Sequence, residues 1–175
     1  FSYSKLLQKD DDMSEKILSV FIDESGDFGP YEIHAPYYLV SMIFHNQSTD
    51  ISENIKVFDA HLSNLGYQHH AIHTDPLIRR ESVYANDFVE ERKRLFNALF
   101  NFARKLDFQY SCIKIKKSEC PDVITMALKV SNILADILRS NEGFWNSFDK
   151  VIVYYDNGQI ELTKILTSVF STLYT

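Results

Sequence analysis

No apolar run in the 175 residues approaches the roughly 20 needed to cross a bilayer as a helix. Nor do the first residues have the basic-then-apolar pattern of a secretory signal, so the sequence predicts no membrane partner. Cysteine is scarce: Cys112 and Cys120 are the only two. They allow at most one bridge and do not stand at a C-x2-C metal spacing, which makes a reduced, cytoplasmic setting the simplest reading. Also missing are a Gly-rich phosphate loop, a G-x-S-x-G elbow and an H-E-x-x-H pair. Positive charge is in deficit, 18 Lys and Arg against 24 Asp and Glu, so the whole chain exerts no pull on nucleic acid. Locally the balance reverses, with seven basic residues against four acidic ones between Arg79 and Lys105.

What is present is the material of a folded domain. Hydrophobic residues make up 45% of the chain and aromatic ones 14%, which argues for a packed core and against disorder. One domain is expected over residues 13–175. Met13-Ser14-Glu15-Lys16 reads as an ordinary start, so residues 1–12 are read as a leader or upstream extension. The chain stops inside an amphipathic pattern, and a C-terminal segment is expected to be missing. The sequence does not indicate an oligomeric state.

Ile17 to Ile22 is a β-branched run that predicts a central strand ending at Asp23. A loop with Gly29-Pro30 and Pro36 follows, then a second strand, Tyr37 to Phe44, which implies an antiparallel pair. Ile51, Ile55, Phe58, Leu62 and Leu65 recur at helical spacing between Asp50, a cap, and Gly66, a terminator. From Tyr67 to Asn86 periodicity disappears and a long loop is predicted, of a length that is often functional.

A helix follows from Phe88 to Leu106, capped by Asn86 or Asp87, with Leu95, Phe96, Leu99, Phe100, Ala103 and Leu106 facing inward. Phe108 to Lys116 predicts a strand, expected beside the first. Pro121 suits the first turn of a helix whose stripe runs from Val123 through Ile133 to Leu138. Val151 to Tyr155 reads as a parallel strand covered on both faces. The last helix starts near Gln159 and turns Leu162 to Leu173 inward. Antiparallel early neighbours and later strand–helix alternation imply a mixed α/β sheet covered by helices.

The chemistry concentrates in Ser19–Gly29, where the first strand runs into Asp23, Glu24 and Asp27. Carboxylates crowded at a strand end repel one another unless a cation or proton holds them. Asp156 ends the later strand in the same way, and ligand sites in such sheets gather beyond the carboxyl ends of strands. Asp23 and Asp156, with Glu24 or Asp27 assisting, are therefore candidate ligands for one or two Mg²⁺ or Mn²⁺ ions. Against this, Asp156-Asn157-Gly158 also reads as a plain turn and Asp27 as a loop residue. Strand alternation sends Asp23 and Glu24 to opposite faces.

His69, His70, His73 and Asp75 form a second cluster. The i, i+4 spacing of His69 and His73 suits a metal only in a helix, so exposed histidines in a loop are the plainer alternative. His73 remains a candidate phosphate contact or proton shuttle. Lys114 and Lys116, with Lys117 behind them, are candidates to offset the carboxylates or hold a phosphate. Ser25 has no His partner in sequence.

The run Asp23-Glu24-Ser25-Gly26-Asp27, with Ile72-His73 before Leu77-Ile78-Arg79 and the strand ending in Asp156, resembles the bacterial and phage family catalogued as domain of unknown function 3800. The resemblance spans Ile17 to Thr175. It implies a ribonuclease-H-like fold and metal-dependent cleavage of phosphodiesters in RNA or DNA. In it Asp23 corresponds to the acid of the first strand and Asp156 to one on a later strand. It also implies a C-terminal Gln followed by Ala-Asp, which this sequence lacks, and an acid from the helix after the early strands, for which Glu53 and Asp59 are the nearest candidates. A non-catalytic nucleic-acid- or protein-binding module on the same fold, in phage defence or mobile elements, is the alternative. A metal-dependent phosphatase is a further one, disfavoured because Ser25 stands where the aspartyl-phosphate type has a second Asp.

Overall fold

Alternating apolar and β-branched residues make Ile17–Ser25, Tyr37–Asn46, Gln109–Lys116 and Lys150–Tyr155 into strands. In the computed structural model, which describes residues 2–4, 15–68, 70–156 and 158–172, these are β2, β3, β4 and β5. A short strand β1 (Ser2–Ser4) precedes them. Residues 5–14, with the start expected at Met13-Ser14, lie outside the described residues, as do His69, Asn157 and the inward position expected for Leu173.

The strands form one mixed sheet in the order β1-β5-β2-β3-β4. β2 pairs antiparallel with β3 and parallel with β5, while β1 runs antiparallel to β5 and β4 antiparallel to β3. The fold is therefore α/β with a mixed sheet and an antiparallel early pair. β4 does not lie beside β2 as the sequence suggested: β3 is already hydrogen-bonded to β2 and offers β4 its other edge.

The chain divides into two compact units, Phe1–Ser48 with Phe108–Thr175, and Thr49–Asp107. In the sheet unit, α4 (Val123–Ser140) and α6 (Ile160–Ser171) pack on one face. Met126, Val130 and Leu134 of α4 and Leu162, Leu166 and Phe170 of α6 join the even-numbered residues of β2 and β3 in one core. Trp145 of the short α5 (Glu142–Trp145) closes the far end. Asp122 caps α4, its carboxylate accepting the Thr125 N–H at 2.6 Å, so Pro121 stands just outside the first turn rather than in it.

Among the described residues of this unit, nothing packs on the other face of the sheet. Tyr154, expected to be covered, is 44% exposed, and Phe21 beside it 46%. A continuous apolar run in β5 looked buried on both sides, but among the described residues the core of this unit lies on one side only. Val123 and Ile133 of α4 are exposed for a related reason, since the stripe in contact with the sheet is narrower than the apolar pattern.

The second unit holds α1 (Ser52–Asn64), α2 (Thr74–Arg79), a 3-10 turn at Ser82–Tyr84 and α3 (Val89–Ala103) around Leu62, Leu77, Tyr84, Leu95 and Ala98. Residues 67–86 are thus organised rather than a long loop. Tyr84, buried, shares a 2.6 Å hydrogen bond with His70 Nε2, and the His73 backbone N–H donates to its hydroxyl. The core is small, so Ile55, Phe96 and Phe100, predicted inside, are exposed. Asp50 accepts the Ser52 N–H at the entry to α1. Phe88 caps α3, its N–H going to Glu91 Oε2, while Asp87 accepts from the Tyr67 hydroxyl instead of capping.

Candidate active site

Strand register orders the side chains of the open face into rows. Tyr154, Phe21, Ile43 and Tyr110 are successive cross-strand partners across β5, β2, β3 and β4. Two residues further along β2 comes Asp23, opposite Ser41, which is itself opposite Cys112. Asp156 follows Tyr155 as Asp23 follows its partner Ile22, so the two carboxylates stand where the parallel β2–β5 pairing stops; β2 does not end at Asp23 as the sequence suggested but runs on to Ser25, because β3 continues to pair with it. The next row is Ser25, Leu39 and Lys114, and the last pairs Tyr37 with Lys116. Rows lie ~6.5 Å apart along the strands.

Phe21, Asp23, Ser41, Ile43, Tyr154 and Asp156 line a shallow cleft of about 550 Å³. Asp23 Oδ1 accepts the N–H of Glu24 at 3.0 Å, and Asp156 Oδ1 the N–H of Gly158 at 3.0 Å. Asp156 is therefore engaged with the backbone two residues ahead and also stands just past the end of β5. Lys114 places its ammonium 4.0 Å from the centre of the Tyr37 ring. It is two strands away from β2, at about 5 Å per strand, and not next to Asp23.

Glu24 points to the covered face, as alternation requires. Its Oε1 accepts from the Tyr155 hydroxyl at 2.8 Å, and that hydroxyl in turn accepts the N–H of Gln159 at 2.8 Å. Glu24 Oε2 is buried without a hydrogen-bond partner. Burial raises the Glu24 carboxyl above the usual range, the Tyr155 hydrogen bond opposes this and the Asp156 charge adds to it. Tyr155 is pushed up to about 12, first by burial. Below them Tyr38 is fully buried, its hydroxyl unpartnered and raised by burial and then by the charge of Glu24.

Gln159 fastens the acidic loop to the start of α6: its Nε2 donates to Gly26 O and its Oε1 accepts from Phe28 N–H, each at 3.1 Å. Gly26 has φ +91°, and a Cβ there would stand 2.9 Å from Tyr37 O, so the turn after Glu24-Ser25 requires glycine. Asp27 is engaged elsewhere. Lys117, 3% exposed, donates to Asp27 Oδ1 at 2.6 Å and the Gly29 N–H at 2.8 Å, which together hold that carboxyl below its usual range.

Asp23, Asp156 and Glu24 are thus brought to one strand-end region, Lys114 and Lys116 to the same open face, and Asp27 to an ion pair. His73 belongs to the other unit, at the position before α2. Sequence reasoning missed Tyr155, Gln159 and the burial of Lys117. The last had a signal, because Ile113, Ile115 and Lys117 continue one period-two face. Among the described residues no three His, Cys, Asp or Glu side chains are grouped closely enough to hold a metal ion. Comparisons with protein-family models, curated proteins and solved structures gave no match.

Proposed function

We propose that the sheet unit is a Mg²⁺- or Mn²⁺-dependent nuclease of ribonuclease-H-like architecture, cleaving phosphodiester bonds in RNA or DNA at the Asp23 and Asp156 strand ends. One observation carries the reading: two acids stand at the carboxyl end of the pairing between two adjacent parallel strands of a mixed sheet and line one cleft. Such strand ends are where open α/β sheets place their ligands. The reading agrees with the resemblance carried by Asp23-Glu24-Ser25-Gly26-Asp27.

The donor set fits one ion better than two. Two carboxylates with no third ligating side chain grouped beside them among the described residues would suit a Mg²⁺, an ion commonly held by one or two protein carboxylates. When bound, the ion supplies positive charge against the phosphodiester oxygens as negative charge builds on them. Asp23 and Asp156 would hold it. Glu24 is a positioning residue: through Tyr155 and Gln159 it fixes the Asp156 turn beside the Asp23 loop. Asp27 anchors the far side of that loop on Lys117. Lys114 and Lys116 face the same solvent as the two acids and serve the phosphate backbone away from the reacting bond.

The test is incubation of the protein with labelled single- and double-stranded RNA and DNA, with and without Mn²⁺. Cleavage is expected only with metal, and about 100-fold or more slower in Asp23→Ala and Asp156→Ala, the scale on which loss of transition-state charge stabilisation is felt. Cleavage unchanged in Asp23→Ala would exclude this site. The lack of a third grouped ligand favours a second reading, a non-catalytic nucleic-acid-binding module, which predicts no metal-dependent cleavage of any substrate.

A further inference from the structure

The open sheet face carries more than the two acids. Tyr154 and Phe21 are stacked, ring centres 4.9 Å apart and planes 15° apart, and nearly half of each is in solvent. Tyr110, at the far end of the same row, is 76% exposed. Ordinary sheet surfaces place polar residues on the solvent side. An aromatic row there, one step from the carboxylates and beside the lysines of β4, has a composition that matches a polymer of alternating flat rings and negative charges.

We infer that this face binds single-stranded nucleic acid, with bases stacked on the Phe21–Tyr154 pair and on Tyr110 and with Lys114 and Lys116 on the phosphates. The inference rests on the nuclease reading only for the choice of nucleic acid as ligand. Single strands are specified because a base in a duplex already has both faces stacked, whereas an unpaired one can extend a stack of side-chain rings. Charge follows the same order. Asp23 and Asp156 repel phosphate in the absence of metal, while Lys114 and Lys116 attract it two and three strand steps away. A bound strand therefore has its backbone held at the lysine edge and brought across the acids only when a cation is present.

The experiment is fluorescence anisotropy of labelled 12-mers, oligo(dT) and oligo(U), against the full chain in EDTA, with the matching duplexes as competitors. Single strands are expected to bind at least about 10-fold more tightly than duplexes. Phe21→Ala and Tyr154→Ala should each weaken binding about 10-fold, within the range found for loss of one stacking ring, and Phe21→Trp should retain it. Lys114→Ala should reduce the salt slope by about 0.7, one phosphate's worth for a single strand. Asp23→Asn should tighten binding in EDTA. Unchanged melting temperatures establish that these surface variants are folded.

Equal affinity for duplex, or binding undiminished in Phe21→Ala and Tyr154→Ala, would overturn the inference. So would a dimer of this chain that Tyr110→Ala dissolves, since a second copy would then occupy the face. The two readings fail separately. Tight, ring-dependent binding with no cleavage in Mn²⁺ removes the nuclease and keeps the binding face; metal-dependent cleavage with KM unchanged in Phe21→Ala does the reverse.

Discussion

Asp27 and Glu24 are three residues apart and respond to pH with opposite sign. Lys117 beside Asp27, and then the Gly29 N–H, hold its carboxyl below the ordinary value. Its contribution to stability is therefore complete above the unfolded pKa of about 3.9 and is lost as pH falls through the lower folded value. Replacing Asp27 leaves a buried ammonium unpaired, which costs about 3–5 kcal/mol in a fully buried pair. Here Asp27 is 69% exposed, and water offsets part of the loss, so Asp27→Asn is expected to cost about 2 kcal/mol. Urea melts at pH 6 measure it, and Lys117→Met should recover most of it.

For Glu24, burial raises the folded pKa. Its contribution is fully present below the unfolded value of about 4.3 and is lost as pH rises through the raised folded one. Glu24→Gln should flatten that part of the stability–pH curve while keeping an acceptor for Tyr155. A slope unchanged in the variant would assign the effect to another group. None of this could be read from three acids within five residues, because the sequence shows their spacing but not that one meets Lys117 and another Tyr155.

At the scale of elements, the site depends on how the β2 loop and the turn from β5 into α6 are joined. Gly158 marks the join: a Cβ there would come within 2.5 Å of Glu24 Oε1. Gly158→Ala is therefore expected to push Glu24 off Tyr155 and lower cleavage about 10- to 100-fold, the usual effect of losing a residue behind a metal ligand. The melting temperature should change little, since the carboxylate is the flexible end of a side chain. A variant as active as the parent would show that Glu24 does not position Asp156.

The elements themselves were largely legible. Strand runs at 17–22, 37–44 and 151–155 and the helical stripe of α4 correspond to β2, β3, β5 and α4. Their faces were less so. Phe96, Phe100 and Tyr154 follow the apolar pattern and yet are exposed, because periodicity states which residues share a side and not whether anything covers it. The neighbour of β4 was hidden for another reason. Fifty-nine residues, Thr49–Asp107, form a unit of their own between β3 and β4, and local pattern carries no information about which edge the chain returns to.

Across the whole molecule, the sheet unit is assembled from two stretches separated in sequence, and the two acids come one from each: Asp23 before the excursion and Asp156 after it. Their adjacency exists only once β2 and β5 have paired in parallel. That pairing is what brings two acids far apart in sequence into one cleft, and in a chain of net charge −6 the cation proposed there would also be an electrostatic gain. The second unit folds around its own core of Leu62, Leu77, Tyr84, Leu95 and Ala98. There the His70 ring is spent on Tyr84, which gives one of the three clustered histidines a structural task.

The most direct measurement is a calorimetric titration of the chain with Mn²⁺ at pH 7, for the parent and for Asp23→Asn and Asp156→Asn. One ion per chain is expected, abolished or weakened at least about 10-fold by either substitution, since each removes one of the two proposed protein ligands. No bound ion, two ions per chain, or binding untouched by Asp23→Asn would contradict it.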